Sequence, residues 1–227
     1  NDLSVVIPIS GLNPQTSYTY KLVIDDKNIP IHEDALITTS PDTSSTGKVR
    51  IAFGSCPHRW GLGNHQLWTT IQERKPSAML IYGDIAVQDK KAHIGLHRTD
   101  YQIRDWQNAW KKFSASIPVY ATWDDHDYIS NDKAGVPIDF GYTDDDRWQI
   151  RNVWTQAWNN PFYGFEDGRG GIFLRTRIGP CDIIMLDNRY FRKNTEGSFL
   201  EEEQLSWLEK QLVDCKGPFI ILSCGTM

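Results

Sequence analysis

Several protein classes are excluded by what this 227-residue chain lacks. It has only four cysteines (Cys56, Cys181, Cys215 and Cys224), none in a Cys-x-x-Cys pair, so neither a disulfide scaffold nor a zinc-finger module is encoded. No apolar run reaches about 18 residues, so no membrane span is expected. Residues 1–20 lack the charged-then-apolar pattern of a secretory leader, and a soluble chain is expected. Basic charge is also scarce. With 24 Lys and Arg against 29 Asp and Glu, the net charge of -5 gives no stripe to neutralise a nucleic-acid backbone, which argues against nucleic-acid binding by bulk charge. The remainder is ordinary globular composition, 40% hydrophobic and 23% charged, with length for one or two domains and a sizeable core. Nine tryptophans are many for this length; large aromatics of this kind fill cores and interfaces, a sugar-stacking surface being the alternative.

Residues 1–39 read as three strands, at 5–9, 18–24 and 35–39, bounded by turn signals at Gly11-Leu12-Asn13-Pro14 and Asp25-Asp26-Lys27-Asn28. The run from Leu12 to Tyr18 is similar to the corner of fibronectin-III-like and related sandwiches, where a tyrosine hydroxyl bonds back to the upstream backbone. Such a sandwich needs about seven strands. Residues 1–39 are therefore expected to be part of a β domain whose first half precedes the chain. Residues 40–47 are polar, contain Pro41 and Gly47, and read as a linker.

From residue 48 onward strands and helices alternate, which predicts an α/β domain over 48–227. A strand at 49–53 ends at Gly54-Ser55-Cys56, and a helix follows around Leu67 and Ile71. A strand at 78–82 ends at Gly83-Asp84. One long helix carries Tyr101, Trp106, Trp110 and Phe113, and a strand at 119–123 runs into Asp124-Asp125-His126-Asp127. A helix near 145–158 precedes two strands, 172–178 and 182–186, and the second closes on Asp187-Asn188-Arg189. A helix over 199–212 starts behind Ser198 as its N-cap, with acids in its first turn, and a last buried strand spans 219–222.

Four of these strands end in residues suited to metal or phosphate chemistry: Cys56, Asp84, the Asp124-Asp125-His126 run, and Asp187 with Arg189. In layered α/β proteins, ligands sit beyond the carboxyl ends of strands, where side chains from several loops converge. Each residue alone is as well explained as a turn former or helix cap. The recurrence at one edge is the signal. Three carboxylates around an imidazole within Asp124-Asp125-His126-Asp127 repel one another in a buried turn unless a cation or protons neutralise them. Cys56 reads equally as an inert thiol or as a thiolate facing a cation.

These motifs resemble those of the PhoD-like alkaline phosphatases, a branch of the metallophosphoesterases. The resemblance is carried by Phe53-Gly54-Ser55-Cys56, by Tyr82-Gly83-Asp84, by Ala121 to Asp127 with Asn131-Asp132, and by Leu186 to Arg192 followed by Glu203 to Leu208. It implies an αββα core behind an N-terminal β-sandwich, and a metal cluster in which iron and calcium have been described, zinc, manganese or magnesium remaining possible. Carried over residue by residue, Cys56, Asp84, Asp124, Asp125 and Asn131 would hold or orient metal, with Asp84 bridging. His126 would contact the phosphoryl group, and Arg189 and Arg59 would grip its oxygens. The implied reaction is hydrolysis of phosphate monoesters or diesters by a metal-activated water, outside the cytoplasm.

Two departures from the family pattern stand out. The tyrosine often found three residues after the motif aspartate is Val87 here, and the family's C-terminal Gly-Asp-x-His segment has no counterpart before Met227. A chain truncated at both ends is the expectation. The alternative is a non-catalytic homologue or fragment that binds phosphate, glycan or a protein partner. Oligomeric state and substrate are not read from these residues.

Overall fold

The computed structural model describes residues 5–31, 35–85, 89, 93–165, 167–193 and 198–225, the Arg59 side chain excepted. Among these, no helix is long and apolar enough to cross a membrane. The first residues form short strands only. β1 (Ser17–Tyr18) pairs antiparallel with β4 (Ile37–Thr38), and β2 (Leu22–Ile24) forms a hairpin with β3 (Lys27–Ile29). The strand expected across 18–24 is split because Asp25 and Asp26, at φ 48° and 60°, fold residues 22–24 back in a tight turn. Residues 5–9 are not a strand: Val5, Val6, Ile7 and Ile9 are exposed, with no partner ladder among the described residues. The tyrosine corner is present, with the Asn13 N–H donating to the Tyr18 hydroxyl at 2.8 Å.

Two three-stranded sheets lie face to face. The first is fully parallel, in the order β5 (Ile51–Gly54), β6 (Ala78–Tyr82), β7 (Val119–Thr122). In the second, β8 (Leu174–Ile178) pairs antiparallel with β9 (Cys181–Met185), and β9 pairs parallel with β10 (Phe219–Ser223). The alternation of side chains along each central strand builds the layers. Ala78 and Leu80 of β6 meet Cys181, Ile183 and Met185 of β9 between the sheets. Met79 and Ile81 point the other way, into the main core beneath the helices, whereas Ile184 faces Leu208 on the far side.

Helices cover both outer faces. α1 (His58–Leu62), α2 (His65–Glu73), α3 (Ile94–Trp106), α4 (Asn108–Ser114), α5 (Asp125–Tyr128) and α6 (Asp144–Ala157) contribute to or border the first core, and α7 (Glu201–Asp214) lies on the second sheet. The single helix expected through 101–113 is broken at Gln107, whose backbone is extended. Its two halves serve different partners: Tyr101 stands edge-on to Trp154 of α6 at 5.8 Å, and Trp110 edge-on to Trp68 of α2 at 5.2 Å. Most of the tryptophans are core, as expected. Ser198 is not the N-cap of α7; it lies two residues before the cap, which Leu200 occupies, and its hydroxyl accepts from the Leu200 N–H. Strand β10 is not buried. As an edge strand it leaves Phe219, Ile220 and Leu222 exposed, with Ile221 turned to the inner core.

Candidate metal centre

The carboxyl ends of β5, β6, β7 and β9 form one rim. Gly83, at φ +93°, is the residue that permits it, since a Cβ there would collide with the backbone nitrogen of Asp124. That close approach brings the β6 and β7 termini together. The Cys56 N–H donates to the Gly83 carbonyl at 3.0 Å and draws in the end of β5. The second sheet joins through acceptors that follow β9: Trp123 Nε1 donates to Asp187 at 2.7 Å, and the Thr122 hydroxyl donates to the Leu186 carbonyl at 2.9 Å.

Asp84 and Asp125 meet His126 at this rim, with one ligand-type atom of each lying within 4.8 Å of the others. Asp84 is in the left-handed region at φ 55°, and one of its carboxylate oxygens, Oδ1, is buried with no hydrogen-bond partner among the described residues. Burial, and then the charges of Asp124 and Asp125, push the Asp84 carboxyl above the usual 3.8, with His126 pulling it partly back. Cys56 places its Sγ 3.5 Å from Asp84 Oδ2. Burial raises this thiol; Ser55 offsets part of that, and the charge of Asp84 adds to it. A buried, unsatisfied carboxylate oxygen amid further acids and a thiol is the donor set that a cation completes.

The remaining sequence-predicted residues are placed around this group. Asp125 accepts the Asp132 N–H on Oδ2 at 2.6 Å and the His126 N–H on Oδ1 at 3.0 Å, so its carboxylate is held from two sides. Asp124 caps α5 and receives both Nε and Nη2 of Arg189 on Oδ1, at 2.8 and 2.6 Å. Arg189 is only 2% exposed; its Nη1 also donates to the Lys133 carbonyl at 3.4 Å, and its Nη2 lies 3.9 Å from Asp125 Oδ2. Asn131 is exposed, and its side-chain amide donates to Asp132 Oδ2 at 3.2 Å. Arg59 belongs to α1, and its side chain lies outside the described residues, as does Val87. His126 is itself held: its Nδ1 lies 2.6 Å from Asp89 Oδ1. Burial lowers the imidazole's pKa, but Asp89, Asp125 and Asp84 outweigh it and raise the group above the usual 6.5.

Three further carboxylates support the rim; the sequence singled out Asp127 and Asp187 for cation or phosphate chemistry rather than as braces, and Asp89 not at all. Asp127, 5% exposed, accepts the N–H groups of Asp84, Ile85 and Asp124. The spacing Asp124-x-x-Asp127 is a capping-box spacing, and that signal was available. Asp187 is fully buried and accepts from Trp123 Nε1 and from the backbone of Ile172, Arg189 and Tyr190, which makes it a brace between the sheets. Asp89 carried no pattern at all. A cleft of about 590 Å³ lined by Tyr20, Trp110 and Trp158 lies near Pro118 and Val119, at the opposite end of β7 from this chemistry.

No curated protein matches the chain by sequence. Among solved structures, one titled "Structure of PhoD" is similar with a TM-score of 0.72 at 18% identity, over 94% of this chain and 48% of that one. A purple acid phosphatase, PPD1, isolated from yellow lupin (Lupinus luteus) seeds is similar with a TM-score of 0.65 at 15% identity, over 95% of this chain and 37% of that one. The chain spans about half the length of the first and less of the second, and at these identities the likeness is one of fold. The family model for PhoD-like phosphatase matches residues 51–223, from the first residue of β5 to the last of β10, and so includes every strand end of the rim. The chain belongs to the PhoD-like phosphatase family.

Proposed function

We propose that this chain carries the cation-binding rim of a hydrolase of phosphate monoesters or diesters. The observation that carries the reading is the buried Oδ1 of Asp84, without a hydrogen-bond partner among the described residues, beside Asp125 and His126. Asp84 and Asp125 would be the carboxylate ligands and Cys56 the thiolate. Asp124 would hold its place through Arg189, and Asn131 would orient Asp125 through Asp132. A thiolate donor suits iron or zinc, whereas carboxylates suit calcium, manganese or magnesium, so a mixed pair fits this set. When bound, such cations lower the pKa of water toward about 7 and neutralise phosphoryl charge.

The chain's own residues do the rest. His126 meets the phosphoryl group or the leaving oxygen; as a water oxygen bonds to phosphorus and the bond from phosphorus to the leaving oxygen breaks, that oxygen takes the electron pair and a proton from the imidazole, the attacking water gives its proton to solvent, and the imidazole regains one. Gly83 and Asp127 keep Asp84 and Asp124 at their separation through the reaction. Arg59 is proposed as a contact to phosphate oxygens. An extracytoplasmic home accords with the family resemblance.

The test is metal analysis together with phosphoester hydrolysis by the purified protein, before and after chelation. Activity that disappears with the metal and returns with it supports the reading. A protein that binds inorganic phosphate yet turns over no ester, with metal present, would support the non-catalytic alternative.

A further inference from the structure

Asp89 follows the candidate ligand Asp84 on the segment leaving β6, yet its carboxylate crosses to the β7 side of the rim. Its Oδ1 lies 2.6 Å from His126 Nδ1, a short, charge-assisted contact. The Asp89 side chain is 62% exposed, whereas that of His126 is 20% exposed. An exposed ion pair of this kind contributes little to stability. Its consequence is geometric. The two nitrogens of an imidazole face different directions, so a carboxylate on Nδ1 sets the ring plane and assigns Nε2 to whatever the ring serves.

We propose that Asp89 is a positioning residue for the hydrolytic step, holding His126 by Nδ1 so that Nε2 is presented to the phosphoryl group and its leaving oxygen. The inference rests on the role given to His126 above. The orienter thus comes from the chain after Asp84, and the imidazole it holds follows β7.

Two measurements on Asp89→Asn, Asp89→Glu and the wild type decide it. In proton–nitrogen correlation spectra of histidine-labelled protein, with the His126 signals assigned through His126→Gln, Asp89→Asn should shift the His126 ring nitrogens and leave the other histidines in place. In the metal-loaded protein, Asp89→Asn should lower kcat on ethyl phosphate, a poor leaving group, by about tenfold or more. It should lower kcat on p-nitrophenyl phosphate much less, with KM changed by less than about twofold. Asp89→Glu should restore part of the loss. Unmoved His126 nitrogens, or an equal loss on both esters, would overturn the proposal. If the wild type hydrolyses no ester, the phosphatase reading fails on that result, and the nitrogen spectra still decide whether Asp89 holds His126.

Discussion

Asp127 accepts the backbone N–H of Asp84 at 2.5 Å and that of Asp124 at 3.1 Å on the same carboxylate oxygen. One side chain thereby ties the end of β6 to the end of β7, and with them two residues of the proposed cation site. Asp84 needs such a tie, since its backbone sits at φ 55°, a conformation that side-chain-bearing residues rarely adopt.

Asp127→Ala should leave three backbone donors without their acceptor and cost about 2–3 kcal/mol. Urea unfolding measures that loss. Metal affinity should fall by about 10–100-fold, the usual effect of removing a group that orients ligands. Unchanged affinity in the folded variant would mean that the Asp84 backbone keeps its place unaided.

Asp84→Asn should stabilise the metal-free protein and abolish its binding of cations. The sign follows from the raised carboxyl of Asp84. Its native form holds a proton to higher pH than the unfolded chain does, so the wild type loses stability as pH rises from 3.8 through the native pKa. Asparagine does not titrate. The variant's advantage should be absent below that window and complete above it. A gain in Tm is expected above that window and none below it. Thermal melts in chelator across pH check this.

Arg189→Met should strand the Asp124 carboxylate against a buried apolar group and cost about 3–5 kcal/mol. Arg189→Lys keeps the charge but cannot place two nitrogens on Asp124 Oδ1, so it should recover part of the stability without full metal affinity. A lysine variant equal to wild type in both respects would show that charge alone suffices.

Asp187→Ala should damage the fold more than the site. It removes the acceptor of four donors between the sheets, yet Asp187 contributes no atom to the Asp84, Asp125 and His126 group. Denaturation should shift strongly, whereas metal bound per folded molecule should match the wild type. Loss of metal from a still-folded Asp187→Ala protein would contradict the division of roles.

Much of the fold was legible because its signals are local. The apolar-rich runs at 78–82 and 182–186, closed by Gly83 and Asp187, mark buried strands, and the Asp124-Asp125-His126-Asp127 run marks their shared edge. The break at Gln107 was not legible, since the apolar period continues through it and only the separate positions of Trp154 and Trp68 require it. Strand β10 looked buried because its residues are apolar, but apolar composition does not report which neighbours a strand has. At the site, the acidic motif showed which residues meet but not which bind each other. That Arg189 serves Asp124, and Asp89 serves His126, depends on contacts across 65 and 37 residues that no spacing encodes.

The most direct test is equilibrium binding of manganese to the purified protein, in parallel with Asp84→Ala and Asp125→Ala. The wild type should hold the ion in a defined stoichiometry, and each variant, folded by circular dichroism, should lose it. Binding as tight in both variants as in the wild type would place the cation elsewhere and contradict the account.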